Sequence, residues 1–160
     1  MEQPATIALP DAGDRMGWVL DGLFRKGADA DDGGAVIAAP HPQYGGSMDS
    51  PVVSEMDFAC DKAGIAGLRF NWRGVGGSAG QPSGSFEDAL EDYNAAIDFL
   101  EDSVTPPIVA AGYSFGAATA VLASTRPTVR RLVLVAPPPT MLDVSVLTSF
   151  KGRIFIAVGE

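Results

Sequence analysis

The chain reads as an α/β fold with a doubly wound, mostly parallel sheet. Three observations predict it. Short apolar runs alternate with segments of helical period along all 160 residues. Proline and glycine clusters punctuate that alternation, as they do between strands and covering helices. A serine framed by glycines, Gly112 to Gly116, falls directly between one apolar run and a small-residue helix. With 46% hydrophobic and 19% charged residues, the composition is that of a packed chain, and residues 1–160 are read as a single domain.

Each element follows from its local pattern. Residues 5–9 and 16–20 predict two early strands paired as a hairpin. The run AVIAA, 35–39, is a short buried strand ended by Pro40 and Pro42. Residues 52–63 predict a helix, and 67–72 a strand that opens into the glycine-rich run RGVGGSAG. The clearest helix is 86–100, where Phe86, Ala89, Leu90, Tyr93, Ile97 and Leu100 recur on one face and Ser85 supplies an N-cap. Then come a buried strand (108–111), a helix closed before Pro127 (115–124), a strand (131–135), a short helix (144–150) and a last strand (154–158). Sheets of this kind place their sites at the carboxyl ends of strands.

Composition narrows the functions. A net charge of −9 repels phosphates, so neither a nucleic-acid nor an anionic-membrane partner is expected. No apolar run approaches a membrane span, and the N-terminal MEQPATIALP lacks a signal-peptide pattern, so a cytoplasmic location is expected. The single cysteine, Cys60, excludes an internal disulfide and sits in a helical pattern as a buried structural thiol. The single histidine, His41, has no partners at ligand spacing, so no metal site is expected. The run GVGGSAG fits a loose dinucleotide pattern through Gly74, Gly76 and Ala79. Pro82 and Gly84 interrupt where the helix of such a motif would run, so we read a tight loop near the site, and no cofactor is expected.

The segment GYSFG carries the chemistry. A buried strand before it and a small-residue helix after it are the setting of a nucleophile elbow. Gly112 and Gly116 give the turn room, and Ser114 points its hydroxyl out at the helix N-terminus, where the dipole favours developing negative charge. An acyl-transfer site also needs oxyanion donors. One is the N–H of the residue after the nucleophile, Phe115. The other is sought in the loop APHPQYGG, 39–46, from the backbone of His41, Gln43 or Tyr44. Tyr44, Tyr113 and Phe115 suggest an apolar acyl pocket.

Three segments together resemble a bacterial family of small, lid-poor α/β-hydrolases: APHPQYGGSMDS (39–50), LRFNWRGVGGSAG (68–80) and AGYSFGAA (111–118), with VAPPP (135–139) also matching. The resemblance implies an α/β-hydrolase fold, Ser114 as nucleophile, and Phe115 and His41 as backbone oxyanion donors. Ala39 stands where that family has a first histidine. The resemblance also implies an acid just past the strand RIFIAVGE and a histidine beyond a further strand; the sequence ends at Glu160, before both. The expectation is therefore an α/β-hydrolase domain incomplete at its C-terminus, without its last strand and helix. It would act on acyl esters or related carbonyl substrates through a Ser114 acyl-enzyme, weakly or not at all for want of a base. Asp143 reads as a helix cap. The alternative is a non-catalytic α/β-hydrolase-like binding module. An unprotected last strand is expected to bring two copies together as a homodimer.

Overall fold

The structure, a computed structural model, describes residues 1–159. Seven strands form one sheet: β1 (Glu2–Ala8), β2 (Val19–Arg25), β3 (Gly34–Ala38), β4 (Ala66–Phe70), β5 (Ile108–Tyr113), β6 (Val129–Val135) and β7 (Arg153–Ala157). Their order is β1-β2-β4-β3-β5-β6-β7. β1 and β2 form the expected hairpin, with Glu2 opposite Arg25 and Ala8 opposite Val19. β2 joins β4 antiparallel, and every later neighbour is parallel. This is the α/β architecture that the alternation of runs predicts.

Alternation along the strands sends side chains to two faces. In β3, Val36 and Ala38 enter the larger core and Ala35 and Ile37 the smaller one. The larger core lies beneath α2 (Phe86–Glu101), α3 (Phe115–Ala123) and α4 (Val144–Ser149). The smaller lies beneath α1 (Pro51–Lys62) alone, through Val53, Met56 and Cys60. α1 covers β3 and β4, which leaves a groove of about 600 Å³ beside it, lined by Met56, Cys60, Val109, Val133 and Phe155 among others. No described helix is long and apolar enough to cross a membrane.

Ser85 caps α2 by accepting the Glu87 and Asp88 N–H groups, as its position predicts. The Tyr93 hydroxyl of α2 reaches between two strands. It accepts the Ala111 N–H at 2.8 Å and lies 2.9 Å from the Val36 and Ala111 carbonyl oxygens. That contact fixes α2 to the strands that bear the site.

The strand boundaries shift from the sequence expectation, and two of the shifts have a visible cause. β2 starts at Val19 rather than residue 16, because Gly17, at φ 70°, turns the chain and gives its N–H to Asp11 at 2.8 Å. β4 stops at Phe70 rather than residue 72. The Asn71 N–H still donates to the Asp21 carbonyl opposite it on β2, and the chain then turns, with Trp72 buried.

Cys60 is largely buried on α1, as expected, and burial, with the Asp57 charge adding to it, pushes its thiol up to about 11. The thiolate is the nucleophile, so iodoacetamide at pH 8 should alkylate Cys60 roughly 100-fold more slowly than a free thiol. Mass spectrometry of timed samples measures this; alkylation at the free-cysteine rate would contradict the burial.

Candidate active site

The chain leaves β3 through α1 toward β4 on one side, and leaves β5 through α3 toward β6 on the other. β3 and β5 are neighbours, so their carboxyl ends form a switch point, where open α/β sheets bind ligands. The 39–46 loop follows β3, and Ser114 follows β5.

Ser114 sits alone between strand and helix at φ 56°, ψ −115°. This is the tight turn the motif predicts; only one other non-glycine residue, Ala136 at φ 46°, has positive φ among the described residues. The two are linked, because the Ser114 N–H donates to the Val135 carbonyl at 2.9 Å, just before Ala136. Paired backbone strain at the ends of adjacent strands is characteristic of functional sites. The Ser114 side chain makes no capping hydrogen bond to α3, so its hydroxyl is not spent on closing the helix.

Packing explains the flanking glycines. A Cβ at Gly112 would lie 2.3 Å from the Gly116 carbonyl, and one at Gly116 would lie 2.4 Å from the Ala38 carbonyl oxygen. α3 therefore starts in backbone contact with the end of β3. Its first N–H groups, Phe115 included, have no partner within the helix.

The 39–46 loop folds as a 3₁₀ turn, Pro42–Tyr44, capped by His41. The Gln43 N–H goes to His41 Nδ1 at 3.2 Å and the Tyr44 N–H to the His41 carbonyl at 3.1 Å. Pro40 and Pro42 have none to give. The His41 N–H meets no acceptor among the described residues, which singles it out from the three amides that the sequence leaves open. The His41 ring lies between Tyr44 and Phe115, with centroids 4.6 Å from each, so the loop rests against the elbow. Because Nδ1 accepts a hydrogen bond, the neutral ring carries its proton on Nε2 and has no free lone pair. Nε2 itself faces Gly84, where an added Cβ would come within 2.9 Å.

Trp72 holds this arrangement from below, a role the sequence does not disclose. Its indole N–H lies 3.1 Å from both the Ala39 and the Pro40 carbonyls, and its ring packs edge-on against Phe115. Phe86 stacks on Phe115 from the other side. The glycine-rich loop is anchored at both ends. Asp21 takes the Gly77 N–H and the Asn71 amide. Arg73 is clamped by Asp88, Glu91 and the buried Asp92.

Tyr44, Tyr113 and Phe115 do not share a pocket. Tyr113 continues the Val109–Ala111 side of β5 and packs on the α1 face, Phe115 is buried in the larger core, and Tyr44 is 85% exposed. Asp143 caps α4 by accepting the Val146 N–H at 3.0 Å. The Ser145 hydroxyl beside it holds its carboxyl below the usual range. No group of three or more potential metal ligands occurs among the described residues.

Residues 39–158 match the alpha/beta hydrolase family, and the chain belongs to that family. An uncharacterized protein of Rickettsia prowazekii (strain Madrid E) is 31% identical over 147 residues, which is 88% of this chain and 61% of the relative. The chain thus spans less than two thirds of that relative's length. A crystal structure of a protein of unknown function from Agrobacterium tumefaciens, presented as a candidate alpha/beta hydrolase, superposes with a TM-score of 0.82 at 28% identity, over 98% of this chain and 70% of that one. A serine hydrolase without lid from Xanthomonas campestris shares the fold at a TM-score of 0.76 and 22% identity, over 98% and 84%.

Proposed function

We propose that this chain carries the nucleophile and oxyanion half of a serine hydrolase acting on acyl esters or related carbonyl compounds. Ser114 attacks the carbonyl carbon, and the Phe115 and His41 N–H groups receive the negative charge that develops on its oxygen. The observation that carries this reading is the uncommitted Ser114 hydroxyl on a left-handed turn, against the loop in which His41, alone of the three candidate amides, has no acceptor among the described residues. Neither His41 nor Asp143 is placed to serve as the general base or its orienting acid. His41, the sole histidine here, has its Nδ1 engaged by the Gln43 N–H of its own loop, and its Nε2 faces Gly84. The Asp143 carboxylate is spent on α4.

The test is p-nitrophenyl acetate turnover by a chain continued past residue 160, beside the same chain with Ser114→Ala. Activity lost in the variant supports the reading. A longer chain whose turnover is indifferent to Ser114 would leave the binding module as the better account.

A further inference from the structure

The segment RFNWR, 69–73, straddles the end of β4 and supplies none of the reacting groups named above. It holds the loop that does. The Arg69 guanidinium donates to the Met48 carbonyl at 2.9 Å. Asp21, whose carboxylate can only accept, orients the Asn71 amide. Nδ2 therefore turns to Asp21, and Oδ1 accepts the Met48 N–H at 2.9 Å. The Arg73 N–H and guanidinium bind Asp92 of α2, one residue before the Tyr93 that reaches β3 and β5. Between these anchors stands the buried Trp72.

Trp72 touches both residues named as oxyanion donors. Its ring meets Phe115 edge-on, with 5.7 Å between centroids. Its indole N–H is shared between the Ala39 and Pro40 carbonyls, 3.1 Å from each. The Pro40 carbonyl belongs to the same peptide unit as the His41 N–H. Across a planar trans peptide those two groups point in opposite directions. A carbonyl drawn onto a buried indole therefore turns the His41 N–H outward, at the carboxyl ends of β3 and β5 where Ser114 stands. A hydrogen bond accepted at the carbonyl also polarises the N–H across the same peptide. From the other side, the Gly46 N–H donates to the His41 carbonyl at 3.0 Å, and a Cβ on Gly46 would run into the Pro40 carbonyl. The Pro40–His41 peptide is thus gripped between Gly46 and Trp72, and its N–H alone has no acceptor among the described residues.

We infer that Trp72 is a positioning residue of the site: its indole N–H fixes and polarises the Pro40–His41 peptide so that the His41 N–H faces the oxyanion. This role rests on the hydrolase reading and adds to it the group that sets one of the two donors. A tryptophan that only fills space needs its ring; this role needs the N–H.

The test removes the N–H and keeps the ring. In a Trp18→Phe background, position 72 carries the one tryptophan, and benzothienylalanine in its place puts sulfur where the indole has N–H. Two quantities are read. One is the His41 amide nitrogen resonance, which responds to a hydrogen bond on the preceding carbonyl. The other is the affinity for phenylboronic acid, whose boron accepts the Ser114 oxygen and whose own oxygen then meets the two amides. The isostere should move the His41 resonance and weaken phenylboronic acid roughly tenfold, the worth of one hydrogen bond. The circular dichroism spectrum should not change. Fluorotryptophan, which keeps the N–H, should restore both values, and Trp72→Phe, which lacks it, should show the same two losses as the isostere. An affinity unmoved by the isostere overturns the inference, whether or not the resonance moves, and so does a weakened affinity that fluorotryptophan fails to restore. Ser114→Ala separates the two claims. If it leaves phenylboronic acid binding unchanged, the hydrolase reading fails and the role of Trp72 falls with it. If it abolishes binding while the isostere does nothing, only the role of Trp72 fails.

Discussion

Purified as 160 residues, the protein should hydrolyse p-nitrophenyl acetate at a rate that Ser114→Ala and His41→Ala leave unchanged. A serine hydroxyl is a weak nucleophile at neutral pH unless a base takes its proton. The only imidazole in the sequence accepts the Gln43 N–H at its Nδ1. What remains is binding and the oxyanion donors, so the rate should lie on the order of 10⁶-fold below that of a complete Ser-His-acid site. The three-way comparison of wild type, Ser114→Ala and His41→Ala measures this directly. Robust turnover lost in both variants would make His41 the base. It would also mean that its ring swings free of the Gln43 amide when substrate binds.

Adding one methyl group at Gly112 should cost about 3 kcal/mol or more, because no rotamer change can relieve a Cβ driven into backbone. The atoms it meets, at 2.3 Å, are the carbonyl carbon and oxygen of Gly116 in the first turn of α3. For a domain of this size, that corresponds to a fall in Tm of about 10 °C. Thermal unfolding of Gly112→Ala checks it. The same substitution at Gly45, where nothing lies within 4 Å, meets no clash and serves as the control for a positive-φ glycine, at φ 79°. A loss at Gly112 no larger than at Gly45, where backbone conformation is the only cost, would show that the approach of α3 does not set the glycine requirement.

Much of this was legible in the sequence because it was local. Helical spacing from Phe86 to Leu100 located α2, and Ser85 located its start. Five residues around Ser114 announced a strand-to-helix turn. Where local pattern failed, the cause was a contact distant in sequence or a side chain's parity. Residues 16–18 look apolar enough to continue a strand, yet Asp11 and Gly17 turn them. Tyr113 looks like a pocket residue beside the serine, yet two-residue periodicity commits it to the face shared with Ala111. Nothing near Trp72 signals that its indole serves the 39–40 carbonyls, 32 and 33 residues earlier in the chain. The residues alone left three candidate amides open and the resemblance implied His41; the structure shows where the other two N–H groups go.

That placement of Trp72 gives the protein an optical reporter. There are two tryptophans, and Trp72 is the enclosed one, 1% exposed against the half-buried Trp18. Its indole N–H is tied to the loop that flanks Ser114, and its ring touches Phe115. An enclosed indole emits at shorter wavelength than a hydrated one, and its emission responds to the dipoles its N–H faces. A ligand that displaces the 39–41 carbonyls should therefore shift the emission of Trp72 and leave that of Trp18 in place. With Trp18→Phe, titration of a boronic acid, whose boron accepts the serine oxygen, would read occupancy at the elbow without any turnover. A spectrum unmoved at saturation would mean that the loop is already in its bound position.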